Sequence, residues 1–181
     1  VVTKAVAEGL QVKQSVIRLV KDDITDLDVD AFVFYAQPDL VLGSGFGGAI
    51  AVRGGPSVQK ELEKLAPVAT GEAVISAAGK LKADYIIHAV GPRFQEEDTE
   101  AKLRTTVLNS LKRVEETRVE RVAFPAMGAG YYGIPPHLCA RVMLELIRSH
   151  LEGDACIKEV VICVLDTPQY NAFKDQLEKI R

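Results

Sequence analysis

The sequence predicts an α/β fold in which helices cover both faces of a mostly parallel sheet. Three observations carry this. Short apolar runs alternate with amphipathic stretches along the chain. The amphipathic stretches repeat with helical spacing and open on helix start signals. The 181 residues, 48% hydrophobic and 26% charged, suit one domain with a substantial core.

Leu10, Val12 and Val16 share one parity and suggest a first strand that closes before Asp22 and Asp23. Val29–Ala36 (VDAFVFYA) is a continuous apolar run of the kind a buried strand shows. Ala73–Ala78, Tyr85–Val90, Val119–Phe124 and Val160–Leu165 are four further strand candidates. Helical stripes lie between them. Val58, Leu62 and Leu65 form one, and Leu103, Val107, Leu111 and Val114 the next. Leu138, Val142 and Leu146 form a third, and Tyr170, Phe173, Leu177 and Ile180 a fourth. Pro56 after Gly54 and Gly55, then Asp98, the pair Pro135 and Pro136, and Thr167 with Pro168 mark the starts. No repeat, linker or low-complexity tract divides the chain. It reads as one domain over residues 1–181, with about 1–9 set apart as an N-terminal extension.

A net charge of −3 argues against a duplex nucleic-acid binder, which normally needs a basic face. The longest uncharged run, Val122–Pro136, is too short and too rich in Gly and Pro to span a bilayer. The N-terminus has no signal-peptide pattern, and Val1 opens it without methionine. A cytoplasmic location is expected, or a nuclear one if the chain is excised from a larger eukaryotic protein. Cys139, Cys156 and Cys163 have no CxxC spacing and are read as buried, reduced thiols. No metal and no cofactor is expected. His88 lies mid-strand as a packed core residue, and His137 and His150 have no metal-ligand partner nearby.

The glycines are the local anomaly. Four fall within six positions at Gly43–Gly48, where the sequence reads GSGFGG. Gly43, Gly45 and Gly48 satisfy G-x-G-x-x-G, and so do Gly128, Gly130 and Gly133. The dinucleotide reading needs such a loop directly between strand and helix, with an acidic residue about 20 positions on. The first loop is separated from its strand by Gln37, Pro38 and Asp39 and lacks the acid; the second runs into Pro135 and Pro136. Neither ends in Gly-Lys-Ser/Thr, so a P-loop is excluded. Two loops at strand ends, each able to present several N–H groups, suit an anion and together a pyrophosphate. The plainer reading of each is a tight turn. Asp23, at the end of the first strand, has two readings: acceptor for an exocyclic amino group of a base, or Asx turn and helix cap. Tyr131 and Tyr132 pack on a sugar or anchor the loop. Arg53 meets a phosphate or is a solvated helix-end charge.

Together four stretches resemble the macrodomain family, which binds ADP-ribose, and they occur in the family's order. They are DDITDLDVDAFV, LVLGSGFGGAIAVRGGP, GEAVISAAGKLKADYIIHAVGP and VAFPAMGAGYYGIP. The resemblance covers residues 10–180. It implies a three-layer α/β/α sandwich with a mixed, mostly parallel sheet and a cleft at the strand ends. By position, Asp23 would hold the adenine amino group beside the Ile24 amide. Gly43, Ser44, Gly45, Phe46, Gly47 and Gly48 would wrap the proximal phosphate and distal ribose. Gly128, Ala129, Gly130, Tyr131 and Tyr132 would cradle the pyrophosphate, with Tyr132 near the distal ribose.

The chain also departs from the family. Many members read N-A-A-N after the second strand, with the last asparagine on the distal ribose; here Phe34, Tyr35, Ala36 and Gln37 stand there. The hydrolytic branch often carries an aspartate where this chain has Gly47, and a histidine where it has Ala51. An aromatic often stacks on adenine where Leu165 sits. The resemblance therefore implies a binding module for ADP-ribose, free or on ADP-ribosylated protein. The alternatives are an atypical hydrolase of ADP-ribosyl bonds or ADP-ribose 1″-phosphate, and a module for another nucleotide or RNA end. The catalytic residues and oligomeric state are left open.

Overall fold

A computed structural model describes residues 9–43 and 45–181. Ser44 and residues 1–8 of the expected extension lie outside it. Seven strands form one sheet in the order β1-β2-β7-β6-β3-β5-β4. They are β1 (Gly9–Val12), β2 (Ser15–Lys21), β3 (Ala31–Ala36), β4 (Ala73–Ala77), β5 (Tyr85–Val90), β6 (Arg121–Phe124) and β7 (Glu159–Val164). Five helices accompany them: α1 (Gly45–Gly54), α2 (Pro56–Leu65), α3 (Thr99–Thr117), α4 (Pro136–Glu152) and α5 (Thr167–Ile180). The edge pairs β1–β2 and β4–β5 are antiparallel, and the inner pairs are parallel. The sheet is mixed, as expected.

Alternation along the inner strands builds two cores, because successive side chains leave a strand on opposite faces. From β3, Ala31, Val33 and Tyr35 join Leu103, Val107, Val142 and Phe173 of α3, α4 and α5. Phe32 and Ala36 join Ile50, Val58 and Leu62 of α1 and α2 on the other face. Strands buried on both faces read as unbroken apolar runs, which is why β3, β5 and β7 are plain in the sequence.

Three expectations need correction. The first strand is a hairpin: Lys13 takes φ 51° and the chain turns before Ser15. Parity does not carry across the turn: Leu10 and Val12 pair with Ile17 and Ser15, and Val16 pairs with Gln11 on the opposite face. The segment from Gly45 is not all loop but the first turn of α1, which runs to Gly54. Glycine lacks the apolar side chains from which helical spacing is read. Cys139 and Cys163 are buried thiols, but Cys156 is exposed.

The topology fixes where a ligand can sit. After β3 the chain winds through α1 and α2 toward β5; after β6 it winds through α4 toward β7. The neighbours β3 and β6 therefore feed connections that diverge, leaving a crevice at their carboxyl ends. Open α/β sheets bind ligands at such a switch point.

Candidate functional site

The crevice is a cleft of about 490 Å³. Three groups of residues line it. Asp22, Ile24, Cys163, Leu165 and Gln169 come from the ends of β2 and β7 and the start of α5. Pro125, Ala126, Gly128, Ala129, Gly130 and Tyr132 follow β6. Phe34, Gln37, Leu42, Gly43, Phe46 and Gly47 come from β3 and the entry to α1. The two glycine segments, far apart in sequence, thus meet on one cleft.

Each segment has a local cause. Gly47 sits against the chain that leads into its own helix: a Cβ there would lie 1.8 Å from the Leu42 carbonyl oxygen. Only a residue without a side chain lets α1 begin this close to that strand exit. The first N–H groups of a helix have no partner within the helix and carry its positive dipole end. Phe46 and Gly47, in that first turn, line the cleft. In the second segment Gly130 has φ +75°, and a Cβ there would meet nothing within 4 Å. Its backbone conformation is one that L side chains rarely adopt. Gly130–Tyr132 form a single 3-10 turn, in which Tyr131 lies.

Beneath that turn Tyr35 acts as a strut. Its hydroxyl donates to the Pro92 carbonyl oxygen. Its ring meets Tyr132 edge-on, with centroids 4.7 Å apart. A Cβ at Gly91 would overlap the Tyr35 ring, and one at Gly128 would lie 3.3 Å from its hydroxyl oxygen. Burial pushes the Tyr35 phenol far above its ordinary range, so it stays a neutral donor. Tyr132 packs on a core tyrosine while lining the cleft.

At the other end Asp23 caps a 3-10 turn over Ile24–Asp26, accepting from the Thr25 amide at 2.9 Å and the Thr25 hydroxyl at 2.6 Å. Its second oxygen lies 3.6 Å from Arg53. Arg53 is tied to Asp26 and to the Thr25 hydroxyl as well, so it braces this turn from the end of α1. Asp22, whose carboxylate accepts from the Asp23 amide at 2.7 Å, is the acidic residue on the cleft wall. The Cys163 thiol donates to the Asp22 carbonyl oxygen at 3.2 Å, and burial, then the nearby Asp22, push it up to about 12. It is a packed thiol. Leu165 is 66% exposed at the rim, its amide donating to Gln169 Oε1 at 3.1 Å.

Of the residues singled out in the sequence, Ile24, Gln37, Gly43, Phe46, Gly47, Gly128, Ala129, Gly130, Tyr132 and Leu165 line the cleft. Gly45 and Gly48 lie in the first turn of α1. Sequence reasoning did not single out Pro125, Ala126, Cys163 or Gln169 as site residues. Gln169 carried a usable signal, a polar residue in the first turn of a helix that begins at a strand end. Among the described residues no group of three or more His, Cys, Asp or Glu is placed to hold a metal. No described helix is long and apolar enough to cross a membrane.

The comparisons agree with this geometry. The family profile described as Macro domain matches residues 35–143. The chain belongs to the macro domain family. The macro domain-containing protein TTE0995 of Caldanaerobacter subterraneus subsp. tengcongensis is 38% identical over 170 residues, covering 91% of this chain and 97% of the relative. The Oceanobacillus iheyensis macrodomain with ADP superposes with a TM-score of 0.90 at 25% identity, over 95% of each chain. The Trypanosoma brucei macrodomain in complex with ADP-ribose superposes at 0.82 with 26% identity, over 88% of this chain and 68% of that one. The macro domain fold is therefore shared with structures that hold ADP and ADP-ribose.

Proposed function

We propose that the chain is a binding module for ADP-ribose or a close derivative, free or attached to protein. The observation that carries this reading is the meeting of the two glycine segments on one cleft at the β3/β6 switch point. A helix N-terminus on one side and a glycine turn on the other suit the two phosphates of a nucleoside diphosphate. Asp22 and Ile24 line the end of the cleft assigned to the base, and Asp23 adjoins them as the cap of the Ile24–Asp26 turn. The ADP held by the Oceanobacillus macrodomain and the ADP-ribose held by the Trypanosoma macrodomain support the ligand class. Binding rather than hydrolysis is favoured by the lining near α1, where Phe34, Val41, Leu42, Phe46 and Gly47 offer no general base.

Calorimetric titration with ADP-ribose, ADP and AMP tests the reading. Both diphosphates are expected to bind more tightly than AMP, since a single phosphate engages one segment where two are available. Equal affinities for all three, or no binding at millimolar concentration, would overturn it. Asp23→Ser adds a second arm. Serine keeps an N-cap oxygen for the 3-10 turn, so the melting temperature should hold. Loss of the carboxylate should weaken ADP-ribose binding by about 1.5–3 kcal/mol, as for a hydrogen bond to a charged group. An unchanged Kd would leave Asp23 a cap alone.

A further inference from the structure

One end of the cleft carries polar side chains beside Ile24, Cys163 and Leu165, and the other is aromatic. Near β2 and β7 its wall carries the Asp22 carboxylate and the Gln169 amide. Near β3 and α1 it carries Phe34, Val41, Leu42 and Phe46, with Gln37 as the polar side chain among them. Phe34 and Phe46 meet edge-on with centroids 5.3 Å apart, and Phe46 lies against Phe32 at 6.4 Å. Behind Phe34 stands the fully buried His88, ring edge to face, with centroids 6.1 Å apart. Phe34 is thus held from behind and from the side while part of it faces the cleft. Val41, half exposed, extends the apolar wall to the mouth.

From this division we infer that the site takes a nucleoside diphosphate whose terminal phosphate carries an apolar, ring-bearing group, and that Phe34 determines this preference. The inference rests on the nucleoside-diphosphate reading above. A free sugar brings hydroxyls that must give up water on entering this end. Against Phe34, Phe46, Val41 and Leu42 they recover few hydrogen bonds, and a polar group buried without a partner is penalised. A ring instead buries apolar surface and can pack on Phe34 and Phe46 in the offset or edge-on arrangements aromatic pairs prefer. The diphosphate is held by the glycine segments in either case, so the discrimination falls on the distal group.

The test compares ADP, ADP-ribose and the β-benzyl ester of ADP by calorimetry on the unmodified chain and on Phe34→Asn and Phe34→Leu. On the unmodified chain the benzyl ester should bind about tenfold more tightly than ADP-ribose, the scale on which an apolar pocket discriminates. Phe34→Asn should reverse that order. Phe34→Leu keeps the site apolar and should keep the order with a smaller margin; it serves if the asparagine variant does not fold. ADP binding with ADP-ribose tighter than the benzyl ester on the unmodified chain would overturn the inference and leave the diphosphate reading standing. An order unaffected by Phe34→Asn in a folded protein would also overturn it. Failure of all three ligands to bind would overturn the diphosphate reading itself.

Discussion

Lowering the pH from 7 to 4.5 should destabilise the native chain by about 2–3 kcal/mol more than it destabilises His88→Leu. His88 is fully buried in β5. Its Nε2 lies 2.8 Å from the Ser76 hydroxyl, which also reaches the Ala77 carbonyl oxygen at 3.0 Å. If the hydroxyl donates to that carbonyl, it accepts from Nε2–H, and the neutral ring then carries its bare lone pair on Nδ1. That atom is buried with no hydrogen-bond partner. Protonation would therefore place a charge in the core with no acceptor for the new N–H, and burial lowers the His88 pKa to about 3. An unfolded histidine titrates near 6.5. Between those values the unfolded state holds one more proton than the folded state. The contribution is fully present above about pH 6.5 and is lost as pH falls toward 3, at about 1.4 kcal/mol per pH unit over the middle of that window. Carboxylates also titrate in acid, so the readout is the difference between two proteins. Urea denaturation of both at pH 7 and 4.5 measures it. Parallel losses would mean that His88 does not hold a depressed pKa.

Much of this arrangement is written in the sequence, and the limits have physical causes. Strands β3, β5 and β7 are legible because burial on both faces leaves nearly unbroken apolar runs in AFVFYA, YIIHAV and VVICVL, with the buried His88 as the interruption. Helices α2 to α5 are legible because each buries one stripe. Helix α1 is not, since the glycines that let it approach Leu42 erase its pattern at the start. The hairpin before β2 depends on Lys13 adopting φ 51°, a conformation for which lysine gives no compositional cue. The site shows the same division. Glycine clusters point to close approach and to anions, so both segments of the cleft can be found by inspection. Tyr35 cannot, because inside an apolar run it looks like any core residue. Its hydroxyl acquires meaning only once folding brings Pro92, Tyr132 and Gly91 to it. Whether Asp23 meets a ligand was equally beyond local sequence, since capping and ligand contact use the same carboxylate, and the structure shows the capping bonds.

Substitution of Gly47 and Gly130 should separate the two ways in which glycine serves the cleft. Gly47→Ala is expected to damage both fold and site. Its Cβ would lie 1.8 Å from the Leu42 oxygen and 2.7 Å from the Leu42 carbonyl carbon. Backbone cannot yield as a flexible side-chain tip does, so the strand exit and the first turn of α1 must part. Overpacking of this kind costs about 1–3 kcal/mol, and the shift moves the helix N-terminus away from the phosphates. Gly47→Asp would suffer the same overlap, so restoring a carboxylate at this position alone would not restore a hydrolytic geometry. Gly130→Val should behave differently. Space around its Cβ is open, so the folded state meets only the cost of φ +75° for a branched residue, about 1–3 kcal/mol. The new side chain, however, stands on a turn that lines the cleft and would hold a diphosphate off the backbone. ADP-ribose binding should fall at least about a hundredfold, equivalent to about 2.8 kcal/mol. Isothermal titration with thermal melts of both variants reads the two quantities separately. Normal affinity in a folded Gly130→Val would show that the second segment is a turn without a ligand. Normal affinity in Gly47→Ala would show that the first turn of α1 does not hold phosphate.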